Sequence, residues 1–173
     1  MSIENFKTNN TRLYALSIIA LSLSLILGYV EAMIPINVGI IGIKLGLSNI
    51  VTLISLKILT VRRTLIINTL RLIILGILFS NLVRFIISIS GFALSFIAMI
   101  FVTKQLNFSI IPTSIVGGVM HNIGQVIAVS FITKNISVIN IIYLYIVIGI
   151  ISGLIIGIIS NTCYKSISKV IIE

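Results

Sequence analysis

The sequence predicts an all-α integral membrane protein with a single bundle of about six transmembrane helices. Of its 173 residues, 58% are hydrophobic and only 9% are charged, and the mean hydropathy is +1.29. A soluble domain needs many more polar side chains to cover its surface. The apolar residues also occur in runs of helical length, and the short alternating segments of a β-barrel are not visible. Lipid is therefore the expected solvent for most of the surface.

Six apolar runs are bounded by charged residues, Asn or Pro. A helix needs about 20 residues to cross a hydrocarbon core of roughly 30 Å. Residues 1–12 form a short polar segment, and residues 13–173 form the transmembrane domain. The predicted spans are 13–34, 45–60, 64–81, 83–103, 110–133 and 139–160. The first run is longer than the apolar core of a signal peptide and lacks a small-residue cleavage motif, so we interpret it as a retained span.

The distribution of Lys and Arg predicts the orientation, because cytoplasmic loops retain positive charge. With six spans, both termini lie on the same side. Eight of the twelve basic residues fall on that side, three fall on the other, and Arg71 lies within a span. The eight are Lys7, Arg12, Lys57, Arg62, Arg63, Lys104, Lys165 and Lys169, and the three are Lys44, Arg84 and Lys134. Both termini are therefore expected in the cytoplasm, in a multi-pass protein of the cell membrane.

Small residues recur every four positions in the first and the last span. They are Ala20, Ser24 and Gly28 in the first, and Gly149, Gly153 and Gly157 in the last. At this spacing they share one helix face and let a neighbouring helix approach closely. The neighbour belongs either to the same bundle or to another membrane subunit.

The second span has a polar face. Lys44, Ser48, Thr52 and Ser55 follow helical spacing, and Asn49 lies beside them. A segment with one proline and three glycines, residues 35–46, precedes this face and interrupts any regular helix. Irregular backbone is tolerated near a membrane where it lines a cavity or is covered by protein. We interpret the segment either as a lid or binding wall, or as a simple connector.

Three further ionisable residues fall within or at the ends of spans. Arg71 lies about seven residues into the third span, and Glu31 is the only acidic residue inside a span. Judged by depth, Glu31 is closer to Lys44 and Arg84, so Arg71 has no evident carboxylate partner. Arg71 either faces the bundle interior or extends to the cytoplasmic interface. Lys44 and Arg84 either line one external mouth that favours an anionic ligand or are ordinary interfacial anchors.

The fifth span contains the only histidine, His121, together with Asn122 and Gln125. His121 and Gln125 are one turn apart and share a face. Three hydrogen-bonding side chains in five residues at mid-span indicate a binding site, and the alternative is that they only join helices. Nearby glycines are small enough for a helix or a ligand to approach the backbone.

The composition disfavours catalysis. The three acidic residues are all glutamates and no aspartate is present, so magnesium-diphosphate chemistry is excluded and no metal or other cofactor is expected. One histidine cannot form an H-E-x-x-H motif, a Ser-His-Asp triad needs aspartate, and no P-loop is present. The net charge of +9 is interpreted as contact with anionic lipid, and no nucleic-acid partner is expected.

Four features carry a family resemblance, in order and over nearly the whole chain. They are GIKLGLSNIVTLISL at 42–56, Arg71, SISGFALS at 88–95 and GGVMHNIGQ at 117–125. Together they resemble the heptaprenyl diphosphate synthase component I family, also called the Gx transporter family. Its members are similar to the substrate-binding S-components of energy-coupling-factor vitamin transporters. Those are six-helix proteins that work with a transmembrane coupling subunit and two ATPases.

The resemblance implies a membrane-embedded binding subunit for uptake of a vitamin-like or isoprenoid-related small molecule, energised by partner subunits. The residues expected to bind the substrate are Glu31, Lys44, Asn49, Arg71, Arg84, His121, Asn122 and Gln125. The alternative is a non-catalytic membrane subunit that accompanies a heptaprenyl diphosphate synthase in menaquinone side-chain synthesis. Without aspartate the chain cannot be the catalytic prenyl synthase subunit.

Overall fold

The computed structural model describes residues 10–33 and 46–172, and this part of the chain is helical with no strand. The prediction of an all-α protein is therefore confirmed for these residues. The helices are α1 (Asn10–Met33), α2 (Asn49–Ile58), α3 (Val61–Phe79), α4 (Leu82–Lys104), α5 (Ile110–Thr133) and α6 (Ile142–Ile172), with a 3₁₀ helix at Ile136–Ile141 between the last two.

Four of the described helices, α1, α4, α5 and α6, are long and apolar enough to cross a membrane. α3 has 19 residues but carries three arginines, and α2 has only ten residues, or about 15 Å. Helix length alone therefore establishes a membrane protein but not the predicted count of six spans.

Most predicted boundaries lie within four residues of the observed ones, and the end of α6 is the exception. The apolar run ends at 160, whereas the helix continues to Ile172. Hydroxyl side chains in this extension donate to carbonyls one turn back, as Thr162 does to Ile158 and Ser166 does to Thr162. Neither Gly nor Pro follows Gly157, so nothing in the sequence terminates the helix where its hydrophobicity falls.

Side-chain caps define the starts of two helices. The Thr60 hydroxyl accepts a hydrogen bond from the Arg63 backbone N–H at the start of α3, and Asn81 does the same for Arg84 at the start of α4. Each cap satisfies one of the unpaired N–H groups of the first turn.

The helices alternate in direction, and their contacts bring six helix ends together at one end of the bundle. Lys57 Nζ, near the end of α2, donates to the Phe108 carbonyl between α4 and α5, and the Arg63 guanidinium lies 4.4 Å from the centre of the Tyr14 ring. Tyr164 of α6 packs against a cluster that contains Ile110. We call this the basic end, because the described cations there are Arg12, Lys57, Arg62, Arg63, Lys104, Lys165 and Lys169.

The surface and the interior have the polarity expected in lipid. Buried polar residues in the described part are nearly as numerous as buried apolar ones, fourteen against fifteen. Large apolar side chains are exposed on all the long helices, and Phe131 is exposed over 85% of its surface. In water, exposing so much apolar surface while burying polar groups would be unfavourable, so the distribution indicates an apolar solvent.

The helices form two groups. α5 packs closely against both α4 and α6, whereas α1 packs mainly against α3. The short α2 lies between the groups and contacts α1, α3, α5 and α6. Contacts between α3 and α4 are sparse. The centre of the bundle is therefore where α2 meets α5 and α6.

Candidate functional site

A small polar pocket lies where α2 meets α5 and α6. Its volume is about 20 Å³, which is room for about one water molecule. The lining residues are Gly46, Asn49, Ser114, Gly118, His121, Asn122, Ser152, Gly153 and Ile156. His121 is the twelfth of the 24 residues of α5, so the pocket lies near the middle of the bundle.

The start of α2 forms one wall of this pocket. α2 begins at mid-depth and runs toward the basic end, so it occupies only about half of a membrane thickness. Gly46, just before it, has a φ of +78°, which is the left-handed region that glycine adopts without strain. A Cβ at Gly46 would also lie 3.1 Å from Asn49 Nδ2. The glycine therefore allows the tight turn that places Asn49 at the pocket.

Glu31 holds this turn against α1. Its Oε1 accepts a hydrogen bond from the Gly46 backbone N–H at 2.5 Å. A carboxylate at a helix start also matches the partial positive charge there. Glu31 therefore lies behind the wall that Gly46 contributes, and it does not line the pocket itself.

The three residues of α5 that the sequence singles out, His121, Asn122 and Gln125, point in different directions. His121 lines the pocket, and a Cβ at Gly91 of α4 would lie 3.0 Å from His121 Cε1. Asn122 also lines the pocket, but its Nδ2 donates to the Tyr145 carbonyl of α6 at 2.8 Å. Gln125 is 2% exposed and packs against Gly91. The structure therefore brings His121 and Asn122 together with Asn49 and places Gln125 between α4 and α5.

Serines and glycines bring α4 close to α5. The hydroxyls of Ser90 and Ser95 donate to the carbonyls of Gly124 and Gly117. A Cβ at Gly124 would lie 2.8 Å from the Ser90 carbonyl oxygen. This packing fixes the position of the helix face that bears His121.

The glycine stripe of α6 lies against α5. A Cβ at Gly149 would lie 2.9 Å from the Gly118 carbonyl oxygen, and one at Gly153 would lie 2.7 Å from Ile115 Cα. A Cβ at Gly157 would lie 3.0 Å from Ile111 Cα. The two backbones are therefore in direct contact beside the pocket, and the neighbour of this stripe lies within the same chain.

The small residues of α1 lie toward α2 and α3. A Cβ at Gly28 would clash with Leu75 of α3, and Ser24 is buried with its hydroxyl on the Leu21 carbonyl. Ala20 packs against a cluster that contains Ile67 of α3.

Arg71 is buried in the middle of α3, at 6% exposure. It faces α1, where a Cβ at Gly28 would lie 4.0 Å from Arg71 Cδ. The Glu31 carboxylate attracts the guanidinium electrostatically. This differs from the expectation based on depth, because the long Arg71 side chain reaches toward the end of α1 where Glu31 lies. Arg71 does not extend to the cytoplasmic interface.

The remaining predicted residues lie elsewhere. Arg84 is exposed at the start of α4, and it is not part of the pocket lining. Lys44 falls outside the described residues, so the predicted mouth formed by Lys44 and Arg84 stays a prediction. Within the described residues, no three His, Cys, Asp or Glu side chains come together as metal ligands.

Two functional features were missed by sequence reasoning. Ser152 lines the pocket, and its position beside the glycine stripe of α6 was the only signal for it. The buried hydroxyl of Thr52 donates to Asn68 Oδ1 at 2.7 Å and joins α2 to α3. The polar face of α2 predicted an inward Thr52, but its partner depends on the tertiary structure.

Comparison with known protein families gives one match. A family model described as heptaprenyl diphosphate synthase component I matches residues 20–163, which is most of the chain. The comparisons with curated proteins and with solved structures gave no match.

Proposed function

This chain belongs to the heptaprenyl diphosphate synthase component I family, and we propose that it is the membrane-embedded substrate-binding subunit of a small-molecule uptake transporter. In this proposal the bundle crosses the cell membrane with its basic end in the cytoplasm, and α2 spans only the half of the membrane nearer that end. The substrate enters from the opposite side. Separate subunits supply the energy, because the sequence contains no nucleotide-binding motif.

The observation that carries the proposal is the polar pocket at mid-depth beside the start of a half-length helix. Interrupted helices that begin inside the membrane, with polar groups around them, are a recurrent construction of transporter binding sites. Polar side chains at this depth cost free energy to bury in a membrane, and they generally mark a functional site. A membrane scaffold has no need of such a pocket.

The size of the pocket sets a condition on binding. A vitamin-sized molecule needs several hundred Å³, and the pocket offers about 20 Å³. α5 is fixed between α4 and α6 by backbone contacts, whereas α2 contacts α5 less extensively. Binding therefore requires α2 to move away from α5, which enlarges the pocket.

The proposed function is tested by the partners that co-purify with the chain. The full-length protein is isolated from its own membranes in a mild detergent, and the associated proteins are identified. A transmembrane coupling protein and ATPases are the expected partners. The His121→Gln and Asn49→Ala variants should keep these partners but lose uptake of the cargo. Lys134→Asn, an exposed position outside the pocket, should keep both.

The family description supports a second candidate. It suggests a non-catalytic membrane subunit that holds a heptaprenyl diphosphate synthase at the bilayer. The chain has no aspartate, so the synthase partner would supply all magnesium-diphosphate chemistry. Recovery of a prenyl synthase as the main partner, with no ATPase, would favour this candidate over transport.

A further inference from the structure

Arg71 is the only charged side chain among the described residues that is buried. It is the eleventh of the 19 residues of α3, and so lies at the same depth as the pocket. Buried cations in a membrane are rare because the hydrocarbon does not solvate them. This position therefore needs an explanation beyond packing.

The hydrogen bonding of Arg71 is incomplete. Its Nη1 is buried and has no hydrogen-bond partner among the described residues. The nearest polar residue on the same face of α3 is Asn68, which is already engaged: its Nδ2 donates to the Thr64 carbonyl and its Oδ1 accepts from Thr52. A buried donor of a charged group that lacks an acceptor is strongly destabilising.

Glu31 compensates for the charge but not for the missing hydrogen bond. Its carboxylate attracts the guanidinium, yet its Oε1 is held by the Gly46 N–H at the start of α2. Gly46 in turn lines the pocket. Arg71 does not line the pocket, but the electrostatic attraction to Glu31 and the hydrogen bond from Gly46 to Glu31 link its guanidinium to the pocket wall.

We propose that Arg71 binds an oxyanion, a carboxylate or a phosphate, carried by the small molecule that occupies the pocket. The assignment to the cargo rests on the proposed function. A guanidinium has donors only, and its planar fork matches the two oxygens of such a group. The polar residues Asn49 and His121 then bind the rest of the ligand. The substrate class is an acidic molecule with a hydrogen-bonding body.

Glu31 and the oxyanion compete for the same positive charge. The Glu31→Gln variant keeps an acceptor for the Gly46 N–H but removes the negative charge beside Arg71. It should therefore bind the oxyanion more tightly, by about tenfold. A purely structural role for Arg71 predicts no such gain.

The experiment measures anion binding to the full-length protein in lipid nanodiscs. The probes are sodium acetate and sodium phosphate, with sodium chloride as the reference at equal ionic strength. Binding is followed as a saturable rise in Tm, because a ligand that binds only the folded state stabilises it. A larger effect of acetate or of phosphate identifies a carboxylate or a phosphate as the group bound.

The variants separate a specific site from general salt effects. Arg71→Gln should abolish the rise, Arg71→Lys should weaken it at least tenfold, and Glu31→Gln should strengthen it. Arg62→Gln removes an exposed arginine at the basic end, which has no proposed binding role, and should match the native protein. If Arg71→Gln fails to fold, Arg71→Lys and Glu31→Gln still decide the question.

The proposal is overturned if neither anion raises Tm above the chloride reference, or if the Arg71 and Glu31 variants respond as the native protein does. These results do not depend on which subunits co-purify. A prenyl synthase partner together with an Arg71-dependent anion effect would therefore contradict the transport function and leave the oxyanion site in place.

Discussion

The Glu31 carboxylate of α1 accepts a hydrogen bond from the Gly46 backbone N–H, fifteen residues later at the start of α2. This contact joins α1, which packs against α3, to the short helix α2, whose start forms the pocket wall. It also keeps the only described acidic residue near the buried Arg71. The position of α2 and the charge balance of the interior therefore depend on the same side chain.

Replacement of Glu31 tests this contact. Glu31→Ala removes both the charge and the hydrogen bond, whereas Glu31→Gln removes the charge and keeps an acceptor. We expect Glu31→Ala to be less stable than Glu31→Gln by about 1 kcal/mol, the usual contribution of one hydrogen bond. Thermal unfolding in detergent, followed by circular dichroism, gives the difference. Equal stability of the two variants would show that the contact contributes nothing.

The turn at Gly46 should not tolerate a Cβ. Its φ of +78° costs an ordinary residue about 1–2 kcal/mol, and the added carbon would press on Asn49. Gly46→Ala should therefore lower the stability by at least this amount. Gly46→Asn is the matched control, since asparagine adopts the left-handed region more readily. The explanation fails if alanine is tolerated better than asparagine in the same unfolding assay.

The contact between α5 and α6 should be sensitive to one methyl group. A Cβ at Gly149 meets backbone atoms of Gly118 and Val119, which cannot move aside without separating the helices. We expect Gly149→Ala to cost about 1–3 kcal/mol, as overpacking generally does. Leu154→Ala changes a lipid-exposed side chain of the same helix and should have little effect. Similar losses in both variants would contradict the assigned packing.

The hydrogen bond between Thr52 and Asn68 should stabilise the position of α2. Thr52→Val keeps the shape but leaves Asn68 Oδ1 without its donor, which should cost about 0.6 kcal/mol or more in a membrane bundle. Thr162→Val alters an exposed hydroxyl that donates only to its own helix, so its effect should be smaller. An equal effect in both variants would count against a structural role for the buried pair.

The helices could be predicted from the sequence because long apolar runs leave little alternative in a bilayer. Asn49, His121 and Asn122 belong to the set that the family resemblance implies as substrate-binding, and the structure places these three around one pocket. Gln125 shares a face with His121 but lies one turn further along, where Gly91 leaves room for its side chain. Spacing within one helix cannot reveal which neighbour each residue meets.

The contacts of Glu31 could not be predicted. Depth alone placed it with Lys44 and Arg84, whereas the structure places it on Gly46 and within the electrostatic reach of Arg71. Long side chains shift charges by several ångströms, and a turn can bring a backbone N–H to any depth. The extension of α6 was missed for a different reason, since helices continue past the membrane when no residue stops them.

Cysteine labelling tests most directly the claim that the helices cross a bilayer and turn their polar groups toward an interior pocket. In a Cys163→Ala background, single cysteines replace Asn81 and Lys134 at one end, Lys104 and Lys165 at the basic end, and His121 in the pocket. A membrane-impermeant maleimide on intact cells should label the first two, and the basic-end pair only after permeabilisation. His121→Cys should react far more slowly than Asn81→Cys. Labelling of both ends from the same side, or His121→Cys reacting as fast as Asn81→Cys, would contradict the account.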